Sequence, residues 1–170
     1  MEISKLIRDR KTAESFKPSV PDRGKLVRVL DAGRLAPSAK NRQPWRFIAI
    51  TDPSLKSSLK ESCYGDDRIE TSSAVILLCT TNIDYRMPNG QLSYPMDISF
   101  AASYMMLQAE AEGLASALLS TYQEDLLKER ISIPYSMRVP LILLVGERGE
   151  DERSPKRRLD QPRVFSFDHW

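Results

Sequence analysis

At 170 residues with a net charge of +2, 41% hydrophobic and 28% charged residues, the chain is long enough to bury one core without metal or disulfide staples. So small a net charge argues against nucleic acid as the principal partner, and a terminus charged every few residues argues against a secretory leader. No apolar run approaches the roughly 20 residues that a membrane helix needs, so the expected compartment is the cytoplasm.

A first helix is expected from Glu2 to about Asp9, with Ile3, Leu6 and Ile7 on one face. Arg10 to Thr12 follow, then an extended connector, Lys17-Pro18-Ser19-Val20-Pro21. Asp22 caps a second helix running to about Leu35, whose inward stripe is Leu26, Val29, Leu30 and Gly33 and which Pro37 stops. Trp45 to Thr51 reads as a strand, with Trp45 as its core anchor. Asp52 as cap and Pro53 at the first helical position start a third helix, with Leu55 and Leu59 as core contacts. Cys63, free to be exposed, and Cys79, inside an apolar run, form no ligand or redox spacing.

Ala74 to Cys79 is a continuous apolar run, as expected of a strand covered on both faces. Asp84 to Pro95 is a loop placed to cover a pocket, and Asp97 then caps a long helix to about Glu112. That helix is apolar nearly all round, more than one side of a small domain buries, so it is either the central core helix or also packs on a second subunit. Gly113 ends it; Leu114 to Leu119 form a strand, and Thr121-Tyr122-Gln123-Glu124 has capping-box spacing for a helix through Arg130. Val139 to Val145 is the last core strand, ended by Gly146. Glu147 to Arg158 is a charged arm, and Val164, Phe165, Phe167 and Trp170 must be buried somewhere. With no repeat and no break, residues 1–170 make a single α/β or α+β domain.

The segment from Leu35 to Trp45 carries the chemistry. Between Pro37 and Pro44 stand Ser38, Asn41 and Gln43, neutral groups that each donate and accept hydrogen bonds and suit the edge of a flat heterocycle. By spacing alone they also suit an ordinary polar loop. Arg10, Lys11 and Thr12 near one end, and Lys156 and Arg158 near the other, could surround a phosphate or be solvated surface charges. The single histidine, His169, is next to the end, which argues against Ser-His or Cys-His catalysis, and no His/Cys cluster supports a metal.

Pro37-Ser38-x-x-Asn41-x-Gln43-Pro44-Trp45 resembles the flavin-contacting loop of the FMN-dependent nitroreductase family. Arg10-Lys11-Thr12-x-x-x-Phe16 is similar to that family's basic opening, and Lys156-Arg157-Arg158 to its closing basic cluster, so the likeness covers nearly the whole chain. It implies a three-layer α/β/α fold of the α+β class, a central, mostly antiparallel sheet flanked by helices, with the central helix at a homodimer interface. It further implies FMN held at its phosphate by Arg10, Lys11, Thr12, Lys156 and Arg158. Asn41 and Gln43 would meet the polar edge or ribityl chain, and Pro37 and Ser38 the ring, commonly from the other subunit. Ser120 and Thr121 stand where the family has glycines whose amides face the ring, with Thr121 as the cap of an anion-friendly helix start. The chain departs from the family at Glu14, where many members are basic; a carboxylate beside a phosphate costs affinity unless it points away or pairs with a cation.

The implied activity is ping-pong hydride transfer through flavin N5, from NADH or NADPH to nitroaromatics, quinones or similar small electron-poor acceptors, with no catalytic side chain. Alternatives on the same residues are a dehydrogenase, a reductive dehalogenase, a deazaflavin-linked enzyme or a flavin-binding protein without turnover. A nucleic-acid-binding tail from Arg153 to Arg163 is a further alternative, disfavoured by its lack of interleaved aromatics.

Overall fold

A computed structural model describes residues 2–150 and 158–168. Lys156, Arg157, His169 and Trp170, and the tail from Arg153, were singled out above; all but its residues 158–163 lie outside the described residues. The helices are α1 (Ile3–Asp9), α2 (Arg23–Arg34), α3 (Pro53–Lys60), α4 (Arg68–Thr71), α5 (Tyr94–Ala111) and α6 (Glu124–Ile131). The strands are β1 (Phe16–Lys17), β2 (Trp45–Ile50), β3 (Ala74–Thr80), β4 (Ala115–Leu119) and β5 (Arg138–Arg148).

All the strand pairings are antiparallel: β5 pairs with β1, β3 and β4, and β3 with β2. Because side chains alternate along a strand, the sheet feeds two cores. Ala74, Ile76 and Leu78 join Leu143, Val145 and Trp45 beneath α2 and α5. Val75, Leu77 and Cys79 join Ala115, Ala117, Ile142 and Leu144 against Leu59 of α3, Ile69 of α4 and Leu127 of α6. The result is the expected three-layer α/β/α arrangement of the α+β class. Every residue of β3 is buried, which is why that stretch reads as an unbroken apolar run.

The start signals of α2 and α3 act as expected: Asp22 accepts from the Lys25 amide, and Asp52 from the Leu55 amide at 2.9 Å. Trp45 is a core anchor, buried and stacked on Phe47 with ring centroids 6.2 Å apart. Other expectations need correction. Leu55 is 45% exposed; Lys56 is buried in its place, its Nζ donating to the carbonyls of Glu70 and Ser72. Cys63 is buried, and desolvation pushes its thiol upward; burial takes Cys79 further, to about 11. The central helix begins at Tyr94, with Pro95 in its first turn, so Asp97 lies inside it and is not its cap. The last strand does not stop at Gly146 but runs to Arg148, pairing with Phe16. Gly146 is there for close approach, since a Cβ would stand 2.8 Å from the Ser73 amide and 3.1 Å from the Phe16 ring.

Candidate functional site

The Pro37–Pro44 loop leaves the end of α2 and enters β2 at Trp45. A short 3-10 turn (Ala39–Asn41) lies inside it, and Lys40, Asn41 and Gln43 take φ of 52°, 52° and 48°. Non-glycine residues avoid that left-handed region at a cost of about 1–2 kcal/mol each, Asn less than the others, so three in four positions is a strained loop. Such strain persists only when the surroundings impose it.

Several contacts impose it here. Within the loop, Ser38 Oγ accepts from the Gln43 amide at 2.9 Å, the Asn41 amide donates to the Ser38 carbonyl, and Gln43 Nε2 donates to Asn41 Oδ1 at 3.1 Å. At the exit, the Thr81 amide at the end of β3 donates to the Pro44 carbonyl. From outside, the Arg42 guanidinium lies 3.7 Å from the centroid of the Tyr85 ring, with the Lys40 ammonium at 5.9 Å. From beneath, Asp97 Oδ1 accepts from the Ala39 amide at 2.8 Å. The side chains of Asn41 and Gln43 remain exposed, and Ser38 half-buried.

Of the other expected site residues, Arg10, Lys11, Thr12, Ser120 and Thr121 lie beside β4, at the opposite edge of the sheet. Thr12 bridges Ser116 on the free side of β4, with the Ala13 amide donating to the Ser116 carbonyl at 2.9 Å. Arg10 and Thr12 are half-buried and Lys11 is exposed. Ser120 and Thr121 follow β4 on the same edge and are exposed. Thr121 is not a helix cap: α6 begins at Glu124 with Gln123 before it, and the Gln123 amide is taken by the Ser62 carbonyl. The capping box fails because Glu124 has stronger partners, accepting from Arg138, Lys128 and the Val139 amide. Arg158 is exposed, and Lys156 lies outside the described residues.

The two groups are far apart within one chain. Three strand spacings of about 4.8 Å separate β4 from β2. Along the strands, Ser116 is level with Ala74 across β5, six residues from Thr80, which faces Trp45; that adds about 20 Å. For Thr12 the offsets combine to on the order of 25 Å; the other end of β4, where Leu119 is level with Leu77, lies nearer, on the order of 17 Å from the loop.

Glu14 is half-buried, and its charge acts on Arg68. The Arg68 guanidinium is raised first by its hydrogen bond to Asp66, then by the charges of Asp66 and Glu14. Sequence reasoning missed Tyr85 as the partner of Arg42 and Asp97 as the partner of the loop. The signal for Asp97 was present: Ser93 followed by Pro95 is a helix start, which puts Asp97 in the first turn. Among the described residues, no group of three or more His, Cys, Asp or Glu is placed to hold a metal ion, and no helix is long and apolar enough to cross a membrane.

Comparison with known proteins agrees with this architecture. The family model of the Nitroreductase family matches residues 7–92, just over half of the chain. An NADH dehydrogenase of Thermus thermophilus is 26% identical, over 96% of this chain and 98% of the relative. The crystal structure of a nitroreductase family protein from Clostridium difficile superposes with a TM-score of 0.87 at 28% identity, covering 100% of both chains. A structure described as an FMN-dependent nitroreductase from the same species has a TM-score of 0.85 at 21% identity, covering 98% of this chain and 99% of that one. By its family match, its full-length relatives and its layered antiparallel sheet, this chain belongs to the nitroreductase family.

Proposed function

We propose that the protein is a homodimeric FMN-dependent oxidoreductase that takes electrons from NADH or NADPH and reduces nitroaromatics, quinones or similar electron-poor acceptors. The observation that carries this reading is the strained Pro37–Pro44 loop, which leaves the Asn41 and Gln43 side chains exposed in a chain of the nitroreductase family. Similarity to an NADH dehydrogenase and to an FMN-dependent nitroreductase supports the donor and the cofactor.

The donor set fits a flavin mononucleotide. Arg10 and Lys11 would neutralise the phosphate dianion with the Thr12 hydroxyl as a further donor, and Lys156 and Arg158 would add to them. Asn41 and Gln43 would meet the polar edge or the ribityl chain, Pro37 and Ser38 the ring, and the backbone at Ser120 and Thr121 its reactive side. Donors aimed at that edge favour the ring when it carries the negative charge of its reduced form. A bound flavin supplies the hydride chemistry, exchanging donor and acceptor in turn at one face. The chain's side chains bind and orient; none has to be a nucleophile.

The separation of the Pro37–Pro44 loop from Arg10–Thr12 supports the homodimer. One flavin meets both only if a second copy brings its loop to the first copy's Arg10–Thr12 edge. Exposed apolar residues on α1 and α5 are available for that contact: Ile3, Ile7, Met96, Phe100 and Tyr104.

The test is the visible spectrum of protein reconstituted with FMN, before and after anaerobic NADH or NADPH. Flavin bands that survive gel filtration and bleach with one donor are the expected result. A protein that takes up no FMN overturns the reading. Bands that persist with both donors leave a flavin-binding protein and remove the enzyme.

A further inference from the structure

One contact to the strained loop comes from a buried acidic side chain. Asp97 is 2% exposed, in the first turn of α5, and its carboxyl has a single hydrogen-bond partner among the described residues, the Ala39 amide at 2.8 Å. Its second oxygen, Oδ2, is buried without a partner, as is the hydroxyl of Ser93 one turn earlier. A buried acid is costly, and a half-satisfied one more so. Neither capping nor an ion pair accounts for it: Ser93 holds the cap position, and no cation is paired with Asp97 among the described residues. What the carboxyl does is anchor the loop immediately before its left-handed residues, Lys40, Asn41 and Gln43.

We propose that Asp97 is a positioning residue, whose bond to the Ala39 amide holds the Pro37–Pro44 loop in the strained conformation that presents Asn41 and Gln43. The consequence for ligand affinity rests on the flavin reading above; the conformational role does not. Lys40 and Arg42 are both exposed, so trypsin reads the loop directly, without any ligand.

The experiment compares five variants with the wild type: three single substitutions at this contact, the Asp97→Ala/Ala39→Pro double and a control. Asp97→Ala removes the acceptor. Ala39→Pro removes the donor from the other side, and Ser38, extended at φ −140° and ψ 156°, accepts a following proline without strain. Asp97→Asn keeps an oxygen acceptor. Leu59→Ala is the control, a cavity in the opposite core that lowers stability without touching the loop. Trypsin cleavage after Lys40 and Arg42, followed by mass spectrometry well below each melting temperature, is expected to be about tenfold faster in Asp97→Ala and Ala39→Pro, the factor a lost hydrogen bond is worth. The double variant adds little to either, because both remove one bond. Asp97→Asn and Leu59→Ala cleave at close to the wild-type rate. FMN dissociation constants, from flavin fluorescence, should follow the same order.

Wild-type cleavage in Asp97→Ala, equal acceleration in Leu59→Ala, or additive effects in the double variant would overturn the proposal. A wild-type chain that binds no FMN removes the flavin reading and leaves the cleavage comparison to decide the positioning role.

Discussion

Glu112, just past the end of α5, ties that helix to α2 through one side chain. Its carboxylate takes two hydrogen bonds of 2.8 Å from the Arg28 guanidinium and one from Gln108. The Arg28 bond, followed by Gln108, holds the group at about 2 against an ordinary 4.5. A depressed carboxylate contributes stability above its unfolded value, and that contribution fades as pH falls towards the folded one. Glu112→Gln should therefore melt below the wild type at pH 6, and the gap should close between about pH 4.5 and pH 2. Melting temperatures across that range check it, and a gap that persists at low pH would show that the pair contributes by packing and not by charge. Residue identity suggested some of the site in the same direct way. Ser38, Asn41 and Gln43 are polar between two prolines, and their types suit a binding loop and an ordinary polar loop alike. Asp97 was misread because an Asp near a helix start is most often a cap, and only tertiary packing turns it towards the Ala39 amide.

At the scale of elements, boundaries were legible where punctuation was local and failed where long-range pairing decided. Asp22 and Asp52 act through bonds spanning three residues and Pro53 through its fixed φ, so α2 and α3 begin where their sequence says. Thr121 and Gly146 were misread for the opposite reason. Glu124 is claimed by Arg138, Lys128 and the Val139 amide, and β5 continues past Gly146 because β1 pairs with Arg148. At Gly146 the nearest neighbour is backbone, the Ser73 amide at 2.8 Å from an added Cβ, which cannot give way as a flexible side chain would. Gly146→Ala should thus destabilise the fold by about 1–3 kcal/mol, seen as a lower urea midpoint with an unchanged slope. A midpoint equal to the wild type would mean that the β5–β3 edge yields more than a packed sheet should.

At the scale of the whole molecule, the chain leaves too much apolar surface outside. Ile3 and Ile7 of α1 are 71% and 59% exposed, while Met96, Phe100 and Tyr104 line the exposed side of α5 at helical spacing. Val164, Phe165 and Phe167, which the sequence suggested must be buried, are exposed on the isolated chain. The proposed dimer gives these surfaces a partner and completes a site whose two groups lie on the order of 17 to 25 Å apart in one chain. Phe100→Glu places a charge in that face. It should shift the protein from dimer to monomer by analytical ultracentrifugation and lower FMN affinity at least tenfold, since each half-site loses its complement. A wild type that is monomeric and still holds FMN would remove the dimer from the proposal.

The sequence by itself determined what depends on neighbours along the chain: two helix caps, the fully apolar central strand, the proline-bounded loop and the likeness to the nitroreductase family. The caps and the ends of the loop are set by bonds or steric limits a few residues long, and the strand and the likeness are legible in residue type alone. Only the tertiary structure decided the rest: which candidate residues lie at which edge, that the loop is strained through Lys40, Asn41 and Gln43, and that Asp97 and Tyr85 contact it. Those outcomes belong to residues far apart along the chain, such as Asp97 and Ala39 or Thr12 and Ser116, brought together by strand register and by the crossing of α5 beneath the loop. A linear pattern does not carry that information, because burial and pairing are properties of the packed chain.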